Sequence, residues 1–313
     1  MDQKEIKDSI NNAIDFLINN QNKDGSVSLN KDTRWDVWET ANAYLSIYFA
    51  NKNKEIFLKK SINFIAKSKR KDGSFCHNVS FKKGDYCMET TPLCLLTLYT
   101  KKKNIQSGLN FIFDKQKQNG SWEIGNPGII KYKDWPSVTG FILYSFLHMD
   151  IKSDSLKKGI EFLLKKQQLD GSWGSHWVYY DTPYYPMHTI LPVLKKIGKK
   201  NTSSFKKAIN FIVKEQNVDG SWGKEVENRP SKNLRTALAL NSLLNSEYPS
   251  VNIKIEKGIN WLLENQKTNG SWSGGEFVGW PGKKEDIFTT ATAIRALNKY
   301  NTLLRKKSIL NIF

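Results

Sequence analysis

One turn, written six times, decides what this chain can become. It reads Asp24-Gly25-Ser26-Val27, Asp72-Gly73-Ser74-Phe75, Asn119-Gly120-Ser121-Trp122, Asp170-Gly171-Ser172-Trp173, Asp219-Gly220-Ser221-Trp222 and Asn269-Gly270-Ser271-Trp272, with the glycines 47 to 51 residues apart. That period is the length of a two-helix repeat. Asp-Gly and Asn-Gly favour tight turns because glycine accepts positive φ without steric cost. The aromatic two places later is a large apolar anchor.

The segment before each turn is amphipathic. Residues 157–167 are an example, with apolar side chains at helical spacing and lysines on the other face. A polar, aromatic loop follows the turn. After it comes a segment that is small and apolar nearly all round, as at 40–47, 138–143, 236–240 and 289–294. A helix apolar on every side is buried. The amphipathic helices are therefore expected outside and the apolar ones inside. An open solenoid needs polar caps at its ends, yet the first and last apolar segments are as apolar as the middle ones. The expectation is a closed all-α (α/α)6 barrel, with residues 1–313 as one domain. The long loops all run from outer to inner helix, so they gather at one mouth. Six inner-helix N-termini converge there and favour negative charge.

The net charge of +18 fits a lysine-rich surface and also attraction for diphosphates or acidic lipid headgroups. No nucleic-acid-binding motif accompanies it. No apolar run reaches the length of a membrane span, and residues 1–5 lack a signal-peptide core. Three cysteines, Cys76, Cys87 and Cys94, make no disulfide framework. These features predict a cytoplasmic protein. Peripheral membrane contact and oligomeric state are left open.

Glutamine four residues before glycine, then Ser-Trp, resembles the QW motif of the squalene–hopene and class II terpene cyclase superfamily. Four repeats carry it whole: Gln116/Gly120/Trp122, Gln167/Gly171/Trp173, Gln216/Gly220/Trp222 and Gln266/Gly270/Trp272. Two are degenerate, with Val27 for Trp in the first and with Lys69 and Phe75 for Gln and Trp in the second. In that family the motif is structural, glutamine capping the outer-helix end and tryptophan packing beneath it. The family's barrels hold an isoprenoid and start reaction by protonating an alkene or epoxide, using an Asp-x-Asp-Asp motif at an inner-helix start. The nearest match here is Asp36-Val37-Trp38-Glu39-Thr40-Ala41. It keeps the first Asp and the Thr-Ala, but Trp38 stands where the resemblance would put the proton-donating Asp.

The residues just before the inner helices are the candidate site. Asp36 and Glu39 are one turn apart and could share a proton, which makes them candidate catalytic acids. The same spacing is also a helix-capping pattern. Glu89 and Asp85 repeat the theme, when Met88-Glu89-Thr90 is set beside Trp38-Glu39-Thr40, which favours a shared structural role for both glutamates; Glu89 is placed among the candidate substrate contacts. His188 is the histidine placed to act as a final base. Trp35, Trp38, Trp135, Tyr184, Tyr185, Trp280 and Phe288 are candidate substrate contacts, since ring faces stabilise carbocations. Arg34 and Arg235, with Lys133, Arg229 and Lys232, could hold a diphosphate.

No cofactor is expected, apart from Mg2+ should the substrate be a diphosphate. Asp85, Cys87 and His188 also resemble the Asp-x-Cys…His zinc ligands of the protein prenyltransferase β subunit. The leading reading is a single-barrel cyclase acting on a hydrophobic small molecule. A non-catalytic isoprenoid or peptide binder, a prenyltransferase-β-like zinc protein and a carbohydrate-active (α/α)6 enzyme remain as alternatives.

Overall fold

A computed structural model describes residues 2–29, 35–80, 85–125, 134–174, 182–224, 231–274 and 286–310. Among the described residues, twelve α-helices alternate between two concentric rings. The outer ring is α1 (Gln3–Asn19), α3 (Glu55–Ser68), α5 (Gln106–Asp114), α7 (Asp154–Lys166), α9 (Ser203–Lys214) and α11 (Asn252–Glu264). The inner ring is α2 (Asp36–Phe49), α4 (Thr90–Tyr99), α6 (Pro136–His148), α8 (Tyr184–Lys196), α10 (Lys232–Leu243) and α12 (Ile287–Leu310). Each inner helix packs on the next, and α12 packs on α2, so the ring closes. The fold is the (α/α)6 barrel that the repeat predicts. Among the described residues no helix is long and apolar enough to cross a membrane.

The repeated turn is the joint between neighbouring outer helices. Its Asp or Asn side chain accepts from the serine backbone N–H two residues later, as in Asp24 with Ser26 (2.9 Å) and Asn269 with Ser271 (3.1 Å). Each motif glutamine then donates to two carbonyls, that of its own glycine and one on the next outer helix. Gln116 reaches Ser155, Gln167 reaches Ser204 and Gln216 reaches Lys254, each at 2.8 Å. Gln266 reaches back to Ser9 at 2.9 Å, tying the last repeat to the first. Gly270 shows why the position is glycine. Its φ is +87°, and a Cβ there would lie 2.2 Å from the Asn12 carbonyl oxygen.

This corrects the roles that the resemblance implies. The tryptophan, not the glutamine, takes the helix-end carbonyl: the indole N–H groups of Trp122, Trp173, Trp222 and Trp272 donate to Ile112, Leu163, Ile212 and Leu262 at 2.7–2.8 Å. Those carbonyls lie in the last turns of outer helices, where intrahelical partners run out. All four rings are fully buried.

Inner helices are placed by a threonine. Thr40, Thr91, Thr236 and Thr290 each accept through Oγ1 from the backbone N–H two places after the turn glycine, at 2.8–3.2 Å. This sets the register. Thr91, not Thr90, is the counterpart of Thr40, so Glu89 occupies the place of Trp38 rather than that of Glu39.

Candidate active site

The register puts Trp38, Glu89 and Phe288 at one level of the barrel interior; Ser137 of α6 meets Glu89, and Phe141 lies one helical turn beyond it. All five are buried. Trp38 lies 5.4 Å from Phe141 and 5.5 Å from Phe288, centroid to centroid. Tyr185 lies 5.4 Å from Phe141 and 6.2 Å from Phe288. His188 packs edge-on against Phe141 at 5.3 Å. Four inner helices thus contribute to one aromatic cluster.

Glu89 is the carboxyl group beside that cluster. The Tyr185 hydroxyl donates to its Oε2 at 3.1 Å. Its Oε1 is buried and has no hydrogen-bond partner. Burial pushes the carboxyl up to about 7, against the opposing pull of the Tyr185 and Ser137 hydroxyls. Near neutral pH the carboxyl is therefore divided between its protonated and ionised forms.

His188 is the complementary group. Its Nδ1 engages the Tyr185 carbonyl oxygen, and its Nε2 is buried without a partner. Burial pulls it down to about 3, so the imidazole is neutral. Trp38 Nε1, Thr90 Oγ1 and Thr139 Oγ1 are likewise buried without partners.

The other candidates sit elsewhere. Asp36 accepts from the Val37 backbone N–H at 2.7 Å and from that of Val79 at 3.2 Å, which clamps the second repeat's loop onto α2. Burial raises its carboxyl to about 6, and the nearby charge acting on it is that of Asp24. The helix-capping box is not formed, because Trp35, not Asp36, is the residue that precedes α2. Glu39 is buried one turn further on. Trp35 packs on His77 at 4.6 Å. Trp135 is buried at the entry to α6. Tyr184 turns away from the lumen and packs on Phe211 of the outer helix α9 at 6.4 Å.

The mouth bases are engaged in structure. Lys232 pairs with Asp219 at 2.9 Å. Arg235 does not point inward as its sequence position suggests. Its guanidinium folds over Gly223 and donates to the Lys224 carbonyl. Arg34, Lys133, Arg229 and Trp280 lie outside the described residues. The zinc set does not assemble: no three His, Cys, Asp or Glu side chains among the described residues form a metal-binding group. Asp85 and Cys87 enter α4 while His188 lies on α8, with α6 between them. The Cys87 thiol is pushed up to about 12 by burial, which opposes the thiolate that zinc needs.

Phe141 and Ser137 complete, with Glu89 and Tyr185, a set that position before the inner helices selects only in part. Phe141 lies a full turn inside α6, one step of four residues from Ser137, and that spacing was the available signal.

Comparison with known proteins agrees with this architecture. A family model described as squalene-hopene cyclase C-terminal domain matches residues 133–300. One described as prenyltransferase alpha-alpha toroid domain matches residues 4–123. The fold is similar to that of the type II terpene cyclase MstE from Scytonema, at TM-score 0.76 and 18% identity, covering 96% of this chain and 99% of that one. It is also similar to that of a single-substitution variant of MstE in complex with geranylgeranyl dihydroxybenzoate, its substrate, at TM-score 0.75 and 19% identity over 96% and 99% of the two chains. The ent-copalyl diphosphate synthase of Streptomyces platensis matches at TM-score 0.64 and 16% identity, over 85% of this chain and 50% of that one. At these identities the structural likeness is one of fold.

Proposed function

The chain belongs to the squalene-hopene cyclase C-terminal domain family, and from that premise we propose that it is a cyclase that protonates an isoprenoid alkene inside the barrel, with Glu89 as the acid. The observation that carries the reading is a buried carboxyl group, pushed up to about 7 by burial, that accepts from the hydroxyl of Tyr185, a member of the aromatic cluster.

The chemistry follows from the groups present. The Glu89 O–H bond breaks and a C–H bond forms at the less substituted alkene carbon, leaving a cation on the more substituted one. A neighbouring alkene supplies its π pair to close a C–C bond and moves the charge along the chain. A base then takes a C–H proton and leaves a C=C bond, so the net change is isomerisation without redox. His188 Nε2 is neutral and unpartnered, and it is assigned as that base. The aromatic faces of Trp38, Phe141, Tyr185 and Phe288 stabilise the passing charge, each by about 0.5–2 kcal/mol where water is excluded. The Tyr185 hydroxyl on Oε2 steadies the carboxylate that remains after proton transfer.

Trp38 thereby becomes a cation-facing ring, which explains an aromatic where the family pattern has its acid. The acid is moved to the neighbouring repeat, at the same level of the barrel. A prenyl chain is the substrate class favoured by the apolar lining and by the prenyl substrate of MstE. Initiation draws on a protein proton, so Mg2+ would enter only with a diphosphate substrate.

The test is incubation with prenyl diphosphates and prenylated benzoates of several chain lengths, followed by mass spectrometry of extracted products. Cyclised isomers are expected from the native protein and none from Glu89→Gln. Product formation that survives Glu89→Gln would remove Glu89 from the mechanism.

A further inference from the structure

The inner face of α12 carries two cations where the other inner helices carry aliphatic, aromatic or amide side chains. Phe288, Thr292, Arg295 and Lys299 follow one another at the spacing of a single helix face. Phe288 belongs to the aromatic cluster around Glu89. Arg295 and Lys299 continue from it toward the inner-helix C-terminal end.

Three observations show that Arg295 faces the lumen. Its Nη2 donates to the Asn42 side chain at 2.9 Å and to the Asn42 carbonyl at 3.2 Å, across the gap to α2. The Tyr144 ring on α6 lies close enough to feel its charge. His188 on α8 feels the charges of both Arg295 and Lys299. Each cation is only half-buried, as are Tyr144 and His148 beside them, whereas the aromatic cluster above is buried. The lower lumen therefore has accessible space.

Neither cation has an acid. Among the described residues no carboxylate lies within ion-pair distance of Arg295 or Lys299, and Arg295 Nε is buried with no partner. The nearby anions are already used. Glu247 pairs with Lys195 at 2.5 Å and with Lys200 at 2.8 Å, and Asp150 lies 3.8 Å from Lys196. Burial, and then the charge of Arg295, pull the Lys299 ammonium down to about 7. Two like charges four residues apart on one helix repel. They are not answering the C-terminus of their own helix, because α12 runs on to Leu310.

We propose that Arg295 and Lys299 bind the anionic headgroup of the substrate, a phosphate or carboxylate group joined to a prenyl chain, at the end of the lumen opposite the loop mouth. The proposal rests on the cyclase reading of the lumen and adds headgroup and orientation to it. The guanidinium supplies directed N–H donors, and the ammonium supplies a point charge. An anion between them would relieve their repulsion. From Phe288 to Arg295 and Lys299 the helix rises about 10 and 16 Å, which sets the length of chain between the headgroup and the alkene beside Glu89. The loop-mouth bases Lys232 and Arg235, already engaged, would not be part of this site.

The experiment is calorimetric titration of the intact chain with geranylgeranyl diphosphate, geranylgeranyl dihydroxybenzoate and geranylgeraniol, which share a chain and differ in headgroup. At least one anion is expected to bind ten-fold or more tightly than the alcohol. Which anion gains more tells phosphate from carboxylate. Lys299→Met should bring the anion close to the alcohol while leaving the alcohol's affinity unchanged. Lys232→Met should leave both unchanged. Arg295→Gln should act as Lys299→Met does; if it fails to fold, Lys299→Met carries the test, since removing a charge held in a hostile setting is not expected to lower Tm. Equal binding of alcohol and anions, or an anion preference untouched by Lys299→Met, would overturn the headgroup site while leaving the cyclase reading intact. Failure of all three ligands to bind would overturn both.

Discussion

Replacing Glu89 by glutamine tests the acid without any knowledge of the substrate. The amide keeps the shape and an acceptor for the Tyr185 hydroxyl, and it removes only the titration. An ordinary glutamate carboxyl has a value of 4.5, and burial raises Glu89 to about 7. Between those values the folded protein holds a proton that the unfolded chain has released. The stability contributed by that proton is complete below the lower value and is lost as pH rises to the higher one. The loss is about 1.4 kcal/mol per pH unit across the window, or about 3 kcal/mol in all. Asp36 is also raised, to about 6, but it titrates identically in both proteins and cancels in the difference. Urea unfolding of the native and Glu89→Gln chains at several pH values between 4.5 and 8 measures the gap directly. The variant should gain on the native protein by about 3 kcal/mol over that range. Once a substrate is in hand, native turnover should fall about ten-fold per unit above pH 7. Parallel stability curves would refute the reasoning, because they would mean that Glu89 is ionised in the folded state like any exposed glutamate.

Two further outcomes test the frame and the loop clamp. Gly270→Ala puts a Cβ at positive φ and 2.2 Å from the Asn12 carbonyl, whereas Gly198→Ala shares the positive φ with nothing within 4 Å. Chemical denaturation should show roughly 1–2 kcal/mol lost at Gly198 and clearly more at Gly270, and equal losses would mean that the last repeat does not lock onto the first. Asp36→Asn keeps an oxygen for the Val37 and Val79 N–H groups, so it should retain turnover, while Asp36→Ala should cost about 1–3 kcal/mol of stability for the stranded donors. Loss of turnover in Asp36→Asn with an intact Tm would return the acid to Asp36.

The six turns were readable because their chemistry is local. An Asx side chain, a positive-φ glycine and an anchoring tryptophan act within a few residues, and their spacing counts the repeats. The layering was readable for the same reason, since helix amphipathicity is a property of one segment. Contacts between repeats were not readable. Whether Gln266 reaches Ser9 depends on repeats at opposite ends of the chain, and whether Arg235 folds over Gly223 or Thr91 matches Thr40 depends on pairs 11 to 16 positions apart, beyond the reach of a local pattern.

Glu89 shows the division most clearly. The residues near it in the chain make it one glutamate in a row of candidates, and no short pattern separates it from Asp36 or Glu39. Its distinction comes from Tyr185, Phe141 and Trp38, brought together from three other inner helices. The electrostatic cost of burial and the direction of one hydroxyl depend on what surrounds the group in space. The order of residues established a ring of twelve helices with an apolar interior. Closure of that ring decided which carboxyl meets the aromatic cluster and is pushed up by burial there, and which two cations face the lumen with no acid beside them.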